Sequence, residues 1–255
     1  MTIDVLVPVH WKGIHNLHRA VNSILVQPLY DVRVHILLSG KADAAATGNY
    51  LNFLEKAEDR VTIHYREDHL SAGMARNFLI DAVQGCGGGA CIAFLDSDDE
   101  WCTNHLQQFL DCTERKRDIP LLYSASYLQR QSGRIVRPQG NAPSIWRLTR
   151  QPLLLSSVVI THLPASLRFH PCGAEDLIFF ANALDHLDTF VGGEKPSVIY
   201  DQRNWAQKTC AFKINRTFRA YRTIFRSRIK AGFFLCLFSV HYGIRRMCAY
   251  INRVG

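Results

Sequence analysis

The chain has 255 residues, of which 47% are hydrophobic and 20% charged, and its formal net charge is +8. This apolar share can fill a core, which excludes a disordered chain and predicts one large globular domain or two small ones. The amino terminus has no basic segment followed by a long apolar stretch, so the sequence predicts no secretory signal and a cytoplasmic location.

Short apolar strands alternate with helices through the first hundred residues. The predicted strands are residues 3–9, 32–38, 61–65 and 91–95. Apolar residues at helical spacing predict helices over about 17–25, 50–57 and 71–83. Nearly continuous apolar strands joined by helices are typical of βαβ units around a buried parallel sheet.

The pattern changes beyond residue 100. Residues 121–128 and 135–136 flank a polar turn at 131–134, which predicts an antiparallel hairpin. A further strand is predicted over 153–161 and a helix over 175–187, and Asp201 closes the compact part. We therefore expect a mixed sheet.

An acidic turn follows the apolar strand 91–95, with carboxylates at Asp96, Asp98, Asp99 and Glu100. Ligands of open α/β sheets bind at the carboxyl ends of strands. Crowded carboxylates repel one another unless a cation offsets the charge, and their oxygens suit Mg²⁺ or Mn²⁺. The turn therefore predicts a divalent metal that holds a diphosphate. A solvated acidic turn that caps the next helix is the alternative.

Four segments carry a resemblance to a known family. They are the first strand with Pro8-Val9, the segment 71–77 (SAGMARN), the segment 96–101 (DSDDEW) and the pair Glu175-Asp176. In this order they resemble the family 2 glycosyltransferases over roughly residues 3–203. The resemblance implies an α/β fold of the GT-A type, with a mixed, mostly parallel sheet flanked by helices.

The resemblance also implies roles for individual residues. The donor-binding residues would be Pro8, Val9, Arg76, Asn77, Asp96 and Asp98. Apart from the resemblance, Ser39 at the end of the second strand could hydrogen-bond a base, and Arg203 or Lys208 after Asp201 could meet the diphosphate. Asp98 and Asp99 would bind Mg²⁺ or Mn²⁺. Asp176 would be the catalytic base that takes the acceptor's proton in a single inverting displacement.

The second strand departs from the family's pattern. The family usually has an acidic pair there that recognises the base, whereas this strand ends at Ser39-Gly40. A uridine diphosphate sugar is therefore the family's commonest donor and not a conclusion from these residues.

The carboxyl-terminal part is strongly basic. After Asp201 the sequence has no acidic residue and twelve of its 30 Lys and Arg. We divide the chain into a transferase domain at 1–205 and a basic amphipathic helical tail at 206–255. The apolar stretch 231–240 is too short to cross a bilayer, which favours an interfacial anchor on an anionic membrane. A helix packed on the body is the alternative.

These features together predict an enzyme that moves a sugar from a nucleotide-sugar donor to a hydroxyl acceptor. We expect the acceptor to be a lipid-linked, lipopolysaccharide or capsule glycan at the cytoplasmic face of the inner membrane, and we expect no nucleic-acid partner. The alternatives are a non-catalytic nucleotide-sugar-binding module and a metal-dependent nucleotidyltransferase.

Overall fold

The computed structural model describes residues 2–28, 31–41, 59–87, 91–115, 120–137, 144, 153–171, 174–187, 189–202, 210–225 and 236. The strands are β1 (Ile3–His10), β2 (Val32–Ser39), β3 (Val61–Arg66), β4 (Cys91–Phe94), β5 (Glu100–Trp101), β6 (Leu121–Arg130), β7 (Gly133–Arg137), β8 (Val158–Thr161) and β9 (Phe190–Asp201). The helices are α1 (Ile14–Leu25), α2 (Ala72–Gly85), α3 (His105–Arg115), α4 (Glu175–His186) and α5 (Cys210–Phe225). Short 3₁₀ turns occupy Trp11–Gly13 and Leu155–Ser157.

One mixed sheet joins the described strands, in the order β3-β2-β1-β4-β8-β6-β9-β5, with β7 paired to β6. The first four strands of this order are mutually parallel. Beyond them β8 runs antiparallel to both β4 and β6, and β9 runs parallel to β6. The parallel half places the carboxyl ends of β1 to β4 along a single edge of the sheet, where ligands of such sheets bind.

Alternate residues of β1 face two separate cores. Val5, Val7 and Val9 are buried on the side covered by α1 and α3. Leu6 is buried on the other side, against α2, α4 and α5. Because strand side chains alternate between faces, a strand that is apolar at both sets of positions must be covered on both faces, which explains its nearly continuous apolar sequence.

The structure confirms the predicted α/β class and most element positions. The hairpin is present, with β6 and β7 antiparallel from Arg130–Gly133 to Ser126–Arg137. Over 153–161 only Val158–Thr161 is a strand, since Leu155–Ser157 form a 3₁₀ turn. The helix predicted over 50–57 lies outside the described residues.

The helix α5 packs on the body of the molecule. Ala220 and Tyr221 are fully buried and belong to the same core as Leu6. The apolar stretch 231–240 lies outside the described residues apart from Cys236. Among the described residues, no helix combines the length and hydropathy that a bilayer crossing requires.

Candidate functional site

The acidic turn lies at the carboxyl end of β4. Carboxylate oxygens of Asp96, Asp98 and Asp99 lie within 4.8 Å of one another. The neighbouring parallel strands end at the same edge of the sheet, so the turn opens onto the expected ligand-binding edge. Hard oxygen donors at this spacing suit a divalent cation such as Mg²⁺ or Mn²⁺.

Arg19 of α1 supports the turn from one side. Its guanidinium donates a hydrogen bond of 2.6 Å to the carbonyl oxygen of Asp98. It also lies 3.6 Å from the Glu100 carboxylate and 3.8 Å from the Asp201 carboxylate. A cation at this position offsets part of the repulsion among the acidic groups.

Ser156 supports the turn from the other side. The backbone N–H of Asp96 donates to the Ser156 hydroxyl oxygen over 3.2 Å, and the Trp101 indole donates to the Ser156 carbonyl over 2.7 Å. Asp99 is fully buried, and its two oxygens accept hydrogen bonds from the Ser156 hydroxyl and the Asp201 backbone. Asp99 therefore fixes the turn, and its predicted role as a metal ligand stays a prediction.

Arg76 connects the acidic turn to α4. This residue of α2 is only 4% exposed, pairs with Asp96, and lies 3.4 Å from the Glu175 carboxylate. The close approach of α4 depends on Gly73, because a Cβ there would lie 3.0 Å from the Glu175 Cβ and 2.9 Å from a backbone oxygen of His170. The small residue in the first turn of α2 thus permits the contact.

Asp176 begins α4 next to Glu175 and faces a cation from α5. Its carboxylate is 32% exposed and lies 3.3 Å from the Arg216 guanidinium. The same guanidinium lies 3.8 Å from Glu175. The predicted base therefore lies in the same site as the acidic turn.

These groups line one cleft of about 350 Å³. The lining residues are Arg76, Asp96, Asp98, Leu154, Leu155, Glu175, Asp176, Tyr200, Asp201 and Arg216. Five of them are acidic and two are basic, so the cleft can hold a polyanion such as a diphosphate only with additional positive charge.

Burial and mutual repulsion raise the pKa values of several acidic groups in the cleft. Burial, followed by the charge of Asp96, raises the pKa of Asp98 to about 6. Burial and the same neighbour raise the pKa of Asp99 well above its usual range. Burial and nearby carboxylates also raise the pKa of Tyr200, which keeps its phenol neutral. A bound divalent cation would relieve this repulsion, so the residues fit the predicted metal.

A second cleft lies further along the same sheet edge. It has a volume of about 660 Å³ and is lined by Trp11, Gly40, Lys41, Tyr65, Arg66 and Glu67. The rings of Trp11 and Tyr65 are nearly parallel, with centroids 6.5 Å apart and an interplanar angle of 23°. The Tyr65 ring is exposed and the Trp11 ring is partly buried. Accessible aromatic rings beside basic side chains suit a flat, anionic ligand such as a nucleotide.

Several predicted donor-binding side chains are buried or hydrogen-bonded to the protein's own backbone. Val9 and Ser39 are each 2% exposed, and the Ser39 hydroxyl donates to the Val9 carbonyl over 3.4 Å. The Asn77 amide exchanges two hydrogen bonds with the backbone of Phe169. Pro8 is partly exposed near the end of β1.

Arg203 and Lys208 lie outside the described residues. The structure therefore brings together Arg76, Asp96, Asp98, Asp99 and Asp176, and places the side chains of Val9, Ser39 and Asn77 elsewhere.

The sequence interpretation did not assign site roles to Trp11, Arg19, Tyr65, Ser156 or Arg216. Trp11 had a usable signal, since it directly follows the first strand of a parallel sheet. For Arg216 the signal was its spacing of four residues from Ala220 on one helix, which puts both on the same face. Ser156 offered none, because its partners are distant in sequence.

The sequence matches a known protein family and two curated relatives. The family model described as "Glycosyl transferase family 2" matches residues 4–167. The chain is 35% identical over 65 residues to the putative teichuronic acid biosynthesis glycosyltransferase TuaG of Bacillus subtilis (strain 168), a match that covers 26% of this chain and 24% of the relative. It is 29% identical over 104 residues to the succinoglycan biosynthesis protein ExoW of Rhizobium meliloti (strain 1021), covering 41% and 31%. The matches thus span less than a third of each curated relative.

Solved structures share the fold. Residues 1–349 of S. aureus TarS in complex with UDP-GlcNAc superpose with a TM-score of 0.67 at 15% identity, covering 95% of this chain and 72% of that one. The mannosyltransferase PcManGT of Pyrobaculum calidifontis, in complex with GDP-Man and Mn²⁺, gives a TM-score of 0.63 at 12% identity, covering 97% and 75%. At these identities the likeness establishes the fold alone, and it confirms the predicted GT-A type.

Proposed function

This chain belongs to glycosyl transferase family 2, and we propose that it moves a sugar from a nucleoside-diphosphate sugar to a hydroxyl group of a bacterial surface polysaccharide or its lipid-linked precursor. The observation that carries the proposal is the single cleft in which the acidic turn at Asp98 faces the carboxylate of Asp176. One carboxylate group suits the metal-bound diphosphate, and the other suits the acceptor hydroxyl.

The reaction proposed for this cleft is one inverting displacement. The acceptor oxygen forms a bond to the anomeric carbon as the bond from that carbon to the diphosphate oxygen breaks, and the bonding pair leaves with the nucleoside diphosphate. Asp176 takes the hydroxyl proton. A positioned base of this kind contributes roughly 10²- to 10⁴-fold to the rate.

Asp98 and Asp96 line the cleft and are the residues we propose to hold Mg²⁺ or Mn²⁺, with Asp99 beneath them. The ion would supply the positive charge that stabilises the departing diphosphate. Arg76 orients Asp96 through its ion pair, and the Arg19 hydrogen bond keeps the turn in place.

The second cleft is the proposed site of the nucleoside. Trp11 and Tyr65 offer faces for a base, and Lys41 and Arg66 lie in the same lining. Of the relatives, TarS was solved with UDP-GlcNAc and PcManGT with GDP-Man. Both uridine and guanosine donors therefore belong in the test. A stacking site accepts either base, so hydrogen bonds at the rim would decide between them.

The acceptor class rests on the curated relatives, which are named for teichuronic acid and succinoglycan biosynthesis. We also propose that the basic tail holds the enzyme on the cytoplasmic face of an anionic membrane. Arg222 of α5 is exposed, and basic groups near an anionic leaflet gain about 1 kcal/mol each.

The tail is tested by deletion. Because Tyr221 is buried in the core, the deletion must begin after Phe225 to leave the fold intact. The truncated chain keeps Arg222 but loses six basic residues and the apolar stretch 231–240, so we expect it to sediment much less than the full chain with vesicles that contain phosphatidylserine. Equal sedimentation of both would overturn the membrane proposal.

The enzymatic proposal is tested by release of nucleoside diphosphate from a panel of UDP-, GDP- and dTDP-sugars, with Mn²⁺ or with EDTA. We expect release from one donor class, loss of release in EDTA, and loss in both Asp98→Asn and Asp176→Asn. Asp111→Asn is the matched control, since Asp111 is an exposed carboxylate of α3 outside the cleft. Metal-dependent nucleotide binding without release from any donor would favour a non-catalytic binding module.

A further inference from the structure

The cleft receives one side chain from the carboxyl-terminal helix. Arg216 lies on α5, forty residues after its partner Asp176. Its guanidinium is 3.3 Å from the Asp176 carboxylate and 3.8 Å from that of Glu175. It also lines the cleft, with 26% of its side chain exposed. A helix that sequence analysis assigns to a separate tail therefore reaches the proposed catalytic base.

Packing of α5 fixes this contact. Ala220, four residues after Arg216, is fully buried, as is Tyr221. Residues four apart lie on the same face of a helix, so burying Ala220 directs Arg216 toward the body. Phe218 and Phe225 also pack against the core. The helix is thus anchored by apolar contacts, and these hold the guanidinium beside α4.

The two basic residues of the cleft share Glu175, and each also pairs with a carboxylate of its own. Arg76 is engaged by Asp96 and Glu175. The cation nearest to Asp176 comes from α5. Partial burial raises the pKa of Asp176, and the Arg216 guanidinium acts against that rise. A base must be ionised to accept a proton, and the Arg216 N–H that donates to Asp176 Oδ1 over 3.3 Å also restrains the direction of the carboxylate.

We propose that Arg216 is a positioning residue that holds the Asp176 carboxylate ionised and oriented for the acceptor hydroxyl, which makes α5 part of the active site. This inference rests on the proposed function, because it assigns Asp176 the role of the base. Arg216 acts through Asp176 and not on the donor. Its loss should therefore lower kcat and leave nucleotide affinity nearly unchanged.

Among the described residues, the charged and titratable groups that face Asp176 are Arg216 of α5, Arg76 of α2, its neighbour Glu175, and Tyr200 of β9. Removing the Arg216 charge leaves burial and Glu175 to raise the pKa of Asp176, opposed by the Leu177 backbone N–H and by Arg76. The pKa of Asp176 then rises. Activity that requires the ionised carboxylate is lost as pH falls, and the pH at which it is lost must be higher in the variant than in the wild type.

The first experiment needs no substrate. The carboxyl carbon of Asp176 is titrated by ¹³C NMR in protein labelled at aspartate, with Asp176→Asn to assign the signal. We expect the midpoint to move to higher pH in Arg216→Ala and Arg216→Gln, and to return toward the wild-type value in Arg216→Lys. Arg219→Ala is the matched control, because Arg219 is an exposed arginine of the same helix. A midpoint that moves no further in Arg216→Gln than in Arg219→Ala would overturn the proposal.

The second experiment measures turnover of the donor that the wild type cleaves. We expect kcat to fall roughly 10- to 100-fold in Arg216→Gln, less than the full contribution of a base. The acid limb of the pH profile should move to higher pH. The Kd of the nucleoside diphosphate with Mn²⁺ should stay within about twofold of the wild-type value. Equal turnover in Arg216→Gln and Arg219→Ala would overturn the inference. Failure of the wild type to cleave any donor would instead count against the proposed function, while the titration would still decide the contact.

Discussion

The hydroxyl of Ser156 donates a 2.5 Å hydrogen bond to Oδ2 of Asp99, a residue 57 positions earlier in the chain. Ser156 belongs to the 3₁₀ turn before β8, and Asp99 to the acidic turn after β4. Both residues are fully buried. The geometry of the acidic turn is therefore set by a neighbouring strand of the sheet and not only by its own sequence.

Ser156→Ala tests this support. The substitution removes the hydrogen-bond partner of Asp99 Oδ2 and of the Asp96 N–H, while Asp99 Oδ1 keeps the Asp201 N–H. The loss costs about 1–3 kcal/mol of unfolding free energy. We also expect weaker Mn²⁺ binding, because the turn loses its support. Urea denaturation and calorimetric titration of Mn²⁺ measure the two effects. Ser157→Ala is the control, since the Ser157 hydroxyl bonds only locally to Leu154 in the contacts described. Equal Mn²⁺ affinity in both variants would contradict the prediction.

Arg76→Met tests the buried ion pairs. The substitution leaves the Asp96 carboxylate without its cation and leaves Glu175 with Arg216 at 3.8 Å. Removal of one partner of a buried pair costs about 3–5 kcal/mol, and we expect the lower end because the Asp96 side chain is 32% exposed. Arg168→Met is the comparison, because Arg168 pairs with Asp81, whose side chain is 66% exposed. Exposed pairs contribute about 1 kcal/mol or less. Urea denaturation should separate the two variants clearly, and similar losses would show that Arg76 is not held as described.

Asp98 makes the stability of the metal-free protein depend on pH. Its folded-state pKa of about 6 lies above the ordinary value for an aspartate, so folding takes up a proton. Ionising this carboxylate costs more free energy in the folded state than in the unfolded state. The free energy of unfolding therefore falls as pH rises from about 4 and reaches its lower level above about 6. In EDTA, we expect Asp98→Asn to be more stable than wild type by up to about 3 kcal/mol near neutral pH.

The same pair of proteins should converge below about pH 3, where Asp98 is protonated in both folded and unfolded states. Mn²⁺ should stabilise the wild type and leave Asp98→Asn nearly unchanged. Denaturation with EDTA and with Mn²⁺ across this pH range measures both effects, with Asp111→Asn as the control. If the difference in unfolding free energy between Asp98→Asn and wild type does not vary with pH, the pKa of the Asp98 carboxylate is not raised in the folded state.

Trp11→Ala tests the second cleft. If a base stacks on the indole, its removal costs about 1–3 kcal/mol of binding energy, or a roughly 5- to 150-fold weaker Kd for the nucleoside diphosphate with Mn²⁺. Tyr65→Ala should have a smaller effect in the same direction, since the two rings lie side by side. Val26→Ala removes an exposed apolar side chain away from the cleft and serves as the control. Unchanged affinity in Trp11→Ala would place the base elsewhere.

The parallel half of the fold could be predicted because its signals are local. The strand from Ile3 to Val9 is apolar on both faces apart from Asp4, and this pattern is typical of a strand that is covered on both sides. The helix α2 has its capping residue in sequence, with Ser71 accepting a hydrogen bond from the Met74 N–H. The predicted strand over 153–161 was too long because a buried serine pair, Ser156-Ser157, follows the apolar run and forms a turn.

The candidate site could be predicted where each residue acts next to its own strand or helix end. Asp98 directly follows β4, and Asp176 lies in the first turn of α4, so their places follow from the element boundaries. The expectation that Ser39 meets the ligand was drawn from its place at the end of β2, yet its side chain points into the core. A strand position fixes the face of a side chain only when the register of the sheet is known.

The sequence by itself determined that buried strands alternate with helices, that an acidic turn follows β4, and that basic residues gather after Asp201. Hydrophobic period, turn composition and charge are local properties, so they can be read along the chain. Only the tertiary structure decided that Ser156 supports Asp99, that Arg76 bridges Asp96 and Glu175, and that Arg216 reaches Asp176. Those contacts join residues 20 to 99 positions apart. Their geometry depends on how the sheet, α2, α4 and α5 pack together, which no local pattern encodes.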